Sequence, residues 1–275
     1  MVPNRHRFRV RLNRENLPMR GDFMKYRTMI AVVTALLLNA SVAHAYGDGG
    51  WGISGDTIND LIQSQMSYRS VTTLQDAVRP DNDHKKTPVN KKSPLDSAKE
   101  KSPLDSGNES ISGNSFVKVH GIEKLASLYP REEFLRRKIM FEKIILSFNQ
   151  SVEKLYGVPK NNLATGMAAA LAGGYAAYTN TTFPDDKVKP LVEQLDYVMR
   201  DDPKILEASH QSKAYWYQLM VGLGMALQIQ QVELQKNPDP SEVAKLKKAG
   251  GDFLQAILKV DPSRVSVTSS GMKIR

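Results

Sequence analysis

The sequence predicts an all-α protein: a compact bundle of about five helices, two of them central, apolar and rich in Ala and Gly, preceded by a disordered linker. Three observations carry that prediction. Apolar residues recur at a spacing near 3.6 in five segments between residues 130 and 259. Two of those segments have no polar face, which is the pattern of helices enclosed by others. Residues 80–116 show no period at all and hold Pro, Ser and alternating charge instead.

The organisation before the bundle is read from the N-terminus. Residues 29–38 form a ten-residue apolar run, with Lys25 and Arg27 before it and Ala43-His44-Ala45 after it. Basic region, short apolar core and small-x-small site make residues 1–45 a secretory signal peptide, cleaved between Ala45 and Tyr46. A membrane span would need roughly 20 apolar residues. Met24 starts a signal of ordinary length on its own, which makes residues 1–23 a candidate over-extended start. The expected location is therefore exported, periplasmic or secreted. Residues 46–79 open on a Gly-rich stretch, after which Asp56 caps a short amphipathic helix with Ile58, Leu61, Ile62 and Met66 on one face. Residues 80–116 are the linker, in which Lys-Ser-Pro-Leu-Asp-Ser occurs at 92–97 and again at 101–106. Two short copies cannot build a solenoid; they read as a duplicated spacer, with a docking motif as the alternative.

Residues 117–275 are the helical domain. The first helix opens at Pro130 with Glu132 and Glu133 in its first turn, turns Phe134, Phe141, Ile145, Phe148, Val152 and Leu155 inward, and stops at Gly157. The second starts at Asn161 or Asn162 and runs to Tyr178 without a charged residue. The third, 185–200, puts Val188, Leu191, Val192, Leu195, Val198 and Met199 on one face. The fourth, 211–236, is apolar nearly all round between Ala214 and Ile229. The fifth, 241–259, buries Val243, Leu246, Phe253, Leu254, Ile257 and Leu258. Arg264–Thr268 alternates, as a single strand or an extended tail would. Glycines at 166, 173, 174, 222 and 224 in the second and fourth helices predict that these two pack on each other at close range, ringed by the amphipathic ones.

Three stretches carry a resemblance: Pro159-Lys-Asn-Asn-Leu-Ala164, Gly174-Tyr-Ala-Ala-Tyr178, and Leu258-Lys-Val-Asp-Pro-Ser-Arg-Val-Ser-Val267 with Gly271. Together, over roughly 125–271, they resemble a domain family of unknown function found in exported bacterial proteins behind a signal peptide and a low-complexity stretch. The resemblance implies a fold and a location and brings no site with it. In that family an acidic residue stands where this chain has Asn162, which argues against a catalytic carboxylate there.

Composition and motifs narrow the chemistry. The 38 Lys and Arg exceed the 29 Asp and Glu by nine, but the excess is concentrated: residues 1–45 carry +6, 46–116 carry −2 and 117–275 carry +5. A mature chain so nearly balanced lacks the basic stripe of a nucleic-acid binder, so no nucleic acid is expected, and the membrane enters only through the signal peptide. With no cysteine there are no disulfides, thiol nucleophiles or cysteine metal sites. Glu207-x-x-His210 has the spacing of one di-iron ligand pair, but such sites need two copies and two further Glu, so His210 reads as a surface histidine. No nucleophile elbow, phosphate loop or zinc-protease motif occurs. Asp185, Asp186, Asp201 and Asp202 fall at helix ends, where the helix dipole and solvation account for them. No catalytic residue, metal or cofactor is therefore expected.

The one candidate site is a ligand groove rimmed by Tyr175, Tyr178, Tyr215, Trp216 and Tyr217, with Thr179, Asn180 and Arg200 nearby; the competing reading is hydrogen-bonded tyrosines at the end of the bundle. The function expected is an exported interaction or structural module whose partner is a protein, peptide or glycan of the cell envelope, with no oligomeric state implied. The alternatives are a cell-envelope hydrolase or lyase working with carboxylates, and a membrane-active helical protein inserting residues 163–178 and 214–229.

Overall fold

The computed structural model describes residues 120–275. The signal peptide, the Gly-rich segment with its short helix and the linker with its repeat lie outside the described residues. What is described is an all-α domain closed by a small hairpin. Its elements are α1 (Gly121–Ala126), α2 (Phe134–Tyr156, led in by a 3-10 turn), α3 (Leu163–Thr179), α4 (Val188–Met199), α5 (Pro203–Glu207), α6 (His210–Lys236), α7 (Pro240–Leu258), β1 (Val265–Thr268) and β2 (Gly271–Ile274).

The helix ends follow from local chemistry. Gly157 closes α2 at φ 65°, the left-handed conformation that glycine adopts without a Cβ penalty, and its N–H bonds to the Glu153 carbonyl. Of the two asparagines ahead of α3, Asn162 is the cap: its Oδ1 accepts from the Thr165 N–H at 3.0 Å. Asn161 instead takes the left-handed turn, φ 55°. Asp202, Ser209 and Asp239 cap α5, α6 and α7 in the same manner.

α3 and α6 form the centre, and α3 is buried almost from end to end. Gly166 lies against the Tyr217 ring, Gly173 against the Gly224 backbone, and Gln235 donates to the Asn180 carbonyl. Residue numbers rise together in both helices along these contacts, so the two helices run parallel. At their closest point a Cβ on Gly173 would stand 2.1 Å from the Gly224 carbonyl oxygen, and one on Gly224 2.2 Å from the Ala169 carbonyl oxygen. Glycine is required because backbone meets backbone.

α7 uses the same device from the other side of α3. A Cβ on Gly250 would stand 2.5 Å from the Tyr178 amide nitrogen, while Phe253 fills the space over Gly174. α1 covers Gly222 with Leu125, and α2, α4 and α7 complete the ring. The inward positions expected of the amphipathic helices are buried, apart from Phe134, Leu155, Val188, Val198 and Val243, which are half-buried at the margins.

The described domain has seven helices where five were expected. The additions, α1 and α5, span only 6 and 5 residues, too short for a hydrophobic period to register. The terminal stretch also differs from expectation. Val265–Thr268 is neither a lone strand nor a tail, but pairs antiparallel with Gly271–Ile274, Val265 opposite Ile274. Gln194 of α4 holds the second strand by both backbone groups of Met272, donating to its carbonyl at 2.8 Å and accepting its N–H at 2.9 Å.

Candidate functional site

The five aromatic residues expected to rim one groove do not meet. Tyr215, Trp216 and Tyr217 belong to the first turns of α6, and because α6 runs parallel to α3 they lie beside the start of α3, where Tyr217 covers Gly166. Tyr175 and Tyr178 are nine and twelve residues further along α3, about 14–18 Å away at 1.5 Å per residue. Tyr175 packs edge-on against Phe183, and Tyr178 lies over Gly251 of α7. Tyr215 and Trp216 stack edge-on with each other, half-buried. Of the neighbours named with them, Thr179 bonds back to the Tyr175 carbonyl and Asn180 caps α3, while Arg200 pairs with Asp196.

Tyr217 is the member with a defined chemical environment. Its hydroxyl donates to the Asn149 Oδ1, and the Asn149 Nδ2 donates in turn to the Asn161 Oδ1 at 3.0 Å. Burial pushes the phenol far above its ordinary range, and the nearby Glu153 carboxylate adds to this, outweighing the opposing hydrogen bond to Asn161. The Pro159–Ala164 motif is thus structural, since Asn161 and Asn162 turn the chain, cap α3 and tie α2 to α6. A phenol held neutral in this way supplies an orienting hydrogen bond, and no proton transfer follows from it.

The carboxylates take capping and surface positions. Asp202 is buried and its side chain accepts the Lys204 N–H at 2.9 Å. Asp185 accepts from the Tyr156 hydroxyl at 3.3 Å, Asp186 pairs with Lys187, and Asp201 is exposed. Glu207 and His210 are both exposed, at the end of α5 and the start of α6. Among the described residues no group of three potential ligands could hold a metal ion, and no helix is long and apolar enough to cross a membrane.

One cavity lies between α2, α3, α4 and α6. Phe148, Val152, Ala169, Leu191 and Met225 line it, and two polar atoms face this apolar setting without a hydrogen-bond partner, the Thr165 Oγ1 and the Gln228 Oε1. It holds about 20 Å³ of room for solvent, one water's worth. That is enough to satisfy two buried polar atoms and too little for an organic ligand.

The feature that the fold does not use is on α2. Leu135, Ile139 and Leu146 are 72%, 51% and 57% exposed. Spacings of four and seven put them on one face of the helix, turned away from the buried row of Met140, Phe141, Ile144, Ile145 and Phe148. Arg136, Lys138 and Lys143 flank this row, Arg136 paired with Glu133 and Lys138 with Glu123, and Glu142 stands in the row between Ile139 and Leu146. At the helix start, Glu133 accepts from Arg137 at 2.6 Å and from Arg136 at 3.0 Å. These bonds, chiefly that from Arg137, hold its carboxyl below the usual range. Arg137 in turn lies 4.1 Å from the centre of the Tyr129 ring. Through Arg137 this end of α2 is tied to the segment that precedes it. The row is visible in the sequence, since Leu135, Ile139 and Leu146 repeat at helical spacing on their own, but they fall outside the inward face that the period of this helix singles out.

Comparison with curated proteins and with solved structures finds no match. A family model does match, over residues 70–275, and so takes in the whole described domain together with 50 residues before it. On that match the chain belongs to the DUF6683 family, a family of unknown function.

Proposed function

We propose that this protein is an exported helical interaction module that works by contact through the outer face of α2. The observation that carries the reading is the exposed row of Leu135, Ile139 and Leu146. Single apolar residues on a surface need no explanation, but three large ones aligned on one helix, rimmed by charge, have the character of a contact surface. The contacts among Glu133, Arg137 and Tyr129 support it, because side chains already ordered in the free protein lose less entropy on docking. The matching partner is an amphipathic helical segment, which brings its own apolar row to this one. Export rests on the signal-peptide features of residues 1–45 and the expected cleavage at Tyr46.

The test places a photoreactive residue at Ile139, and in a second variant at Lys247 on the exposed side of α7, in cells that make the protein. The expected result is a defined adduct from position 139, within the chain or to another, with none from 247, on protein whose mass begins at Tyr46. Absence of an adduct at 139, or equal labelling from both positions, contradicts the contact reading. An uncleaved N-terminus contradicts export.

A further inference from the structure

The partner described above has a counterpart in the chain itself. We infer that residues 56–66 dock in cis on the Leu135–Ile139–Leu146 face of α2; this inference rests on the contact reading of that face. Four features support it. In Asp-Thr-Ile-Asn-Asp-Leu-Ile-Gln-Ser-Gln-Met66, Ile58, Leu61, Ile62 and Met66 fall on one side of a helix. From Ile58 to Met66 the apolar side of such a helix would span about 12 Å, within the about 16 Å of the α2 row.

The second feature is instability of the segment alone. A helix of this length is marginal in water and gains stability only by covering its apolar side, as the α2 row also would. The third is charge. The segment holds Asp56 and Asp60 and no cation, while beside the row Arg136 is paired with Glu133 and Lys138 with Glu123, and Glu142 stands among the apolar residues with Lys143 next to it. Both acids fall on the side away from its apolar residues, so docking sets neither of them against Glu142 of the row.

The fourth is the path of the chain. The described domain begins at His120, whose ring pairs with Glu123 at 2.6 Å; Glu123 also accepts from Lys138 at 3.0 Å, and Lys138 precedes Ile139. The chain therefore joins the domain next to the row. Between Met66 and His120 lie 53 residues, a length that spans roughly 170 Å at full extension. That exceeds what docking requires and still keeps the segment at a high local concentration. Docking in cis makes the segment a built-in competitor: an outside partner of the same chemistry must displace it, and its removal would free the face.

The chain has no cysteine, so engineered pairs report proximity cleanly. In the chain beginning at Tyr46, Leu61→Cys with Ile139→Cys is oxidised gently at low concentration beside Leu61→Cys with Lys247→Cys. The inference predicts an intramolecular disulfide that forms at least about tenfold faster in the first pair, and slowing to the control rate when Ile62→Asp is added. Equal rates in the two pairs overturn it, and so do disulfide-linked dimers from the first pair, which would mean docking between copies. If the cis disulfide fails while a photoreactive residue at 139 still captures another molecule, only the cis inference falls; if neither occurs, the contact reading falls with it.

Discussion

The seam between α3 and α6 and the outer face of α2 are opposites. At the seam, Gly173 and Gly224 present no side chain where the two backbones meet and Ala169 only a methyl, and the contact is fully enclosed. On α2, Leu135, Ile139 and Leu146 project large apolar groups into solvent. The seam explains itself, since its small residues are the condition for the packing observed. The α2 face has no such internal account among the described residues, and the contact surface proposed above would supply one. Core residues describe how this protein folds, and residues that break the fold's own logic indicate where it acts.

Substitution should separate the two regions sharply. The largest effect is expected at the seam. Gly224→Ala drives a Cβ against backbone that cannot yield, and should cost about 3 kcal/mol in urea unfolding, the upper end for overpacking. Gly251→Ala sets the contrast, because its nearest neighbour is the edge of the Tyr178 ring at 3.2 Å. There the helix propensity of Ala, worth about 1 kcal/mol, should offset the contact and leave stability nearly unchanged. Next comes the polar tie behind the seam. Tyr217→Phe leaves the Asn149 amide without its donor and should cost about 1–2 kcal/mol, and Asn162→Ala, which uncaps α3, about 1 kcal/mol. Leu135→Ser, Ile139→Ser and Leu146→Ser should each change the stability of the domain by about 0.5 kcal/mol or less, as surface substitutions do. Leu135→Ser and Leu146→Ser should nonetheless abolish the adduct from a photoreactive residue at 139.

An equally small effect on stability concerns the base of the α2 face. The Glu133 carboxylate is held below its usual range by Arg137 and then Arg136. A carboxylate whose folded-state value is depressed stabilises the protein above its unfolded value, and that contribution disappears as pH falls through the folded one. Glu133→Gln should therefore lower stability by about 0.5 kcal/mol at pH 7, the scale of an ion pair within a helix. The gap to the parent should close below the ordinary carboxylate range. A gap that persists in acid would show the loss to be packing, not charge.

Much of the seam was legible in the sequence and almost none of the site was. A helix with no polar face and three glycines has few places to go, so Leu163–Tyr178 identified itself as central, and Gly157 and Asn162 marked its approach. What local pattern could not carry was direction. α4 and α5 intervene between α3 and α6 and return the chain to where α3 began, so the two central helices run parallel and their tyrosines separate. Gln194 gripping Met272 from 78 residues away is equally invisible to periodicity, and the second strand depends on that grip. Gly250 sits in an amphipathic helix that looks ordinary until α3 is placed against it. The α2 row was obscured for a different reason. Its residues are as hydrophobic as the buried ones, and composition alone does not say which of two apolar rows a helix turns inward.

The most direct test of the central claim is carbene footprinting of the protein isolated from its own host under native conditions, read residue by residue. Leu206 and Tyr197, 42% and 51% exposed, serve as references within the same domain. The account predicts that Leu135, Ile139 and Leu146 label several-fold less than these two despite their equal or greater exposure in the domain, because the α2 face is covered in the protein as it exists. Labelling of all five in proportion to that exposure would mean that the face stands bare, and would contradict it.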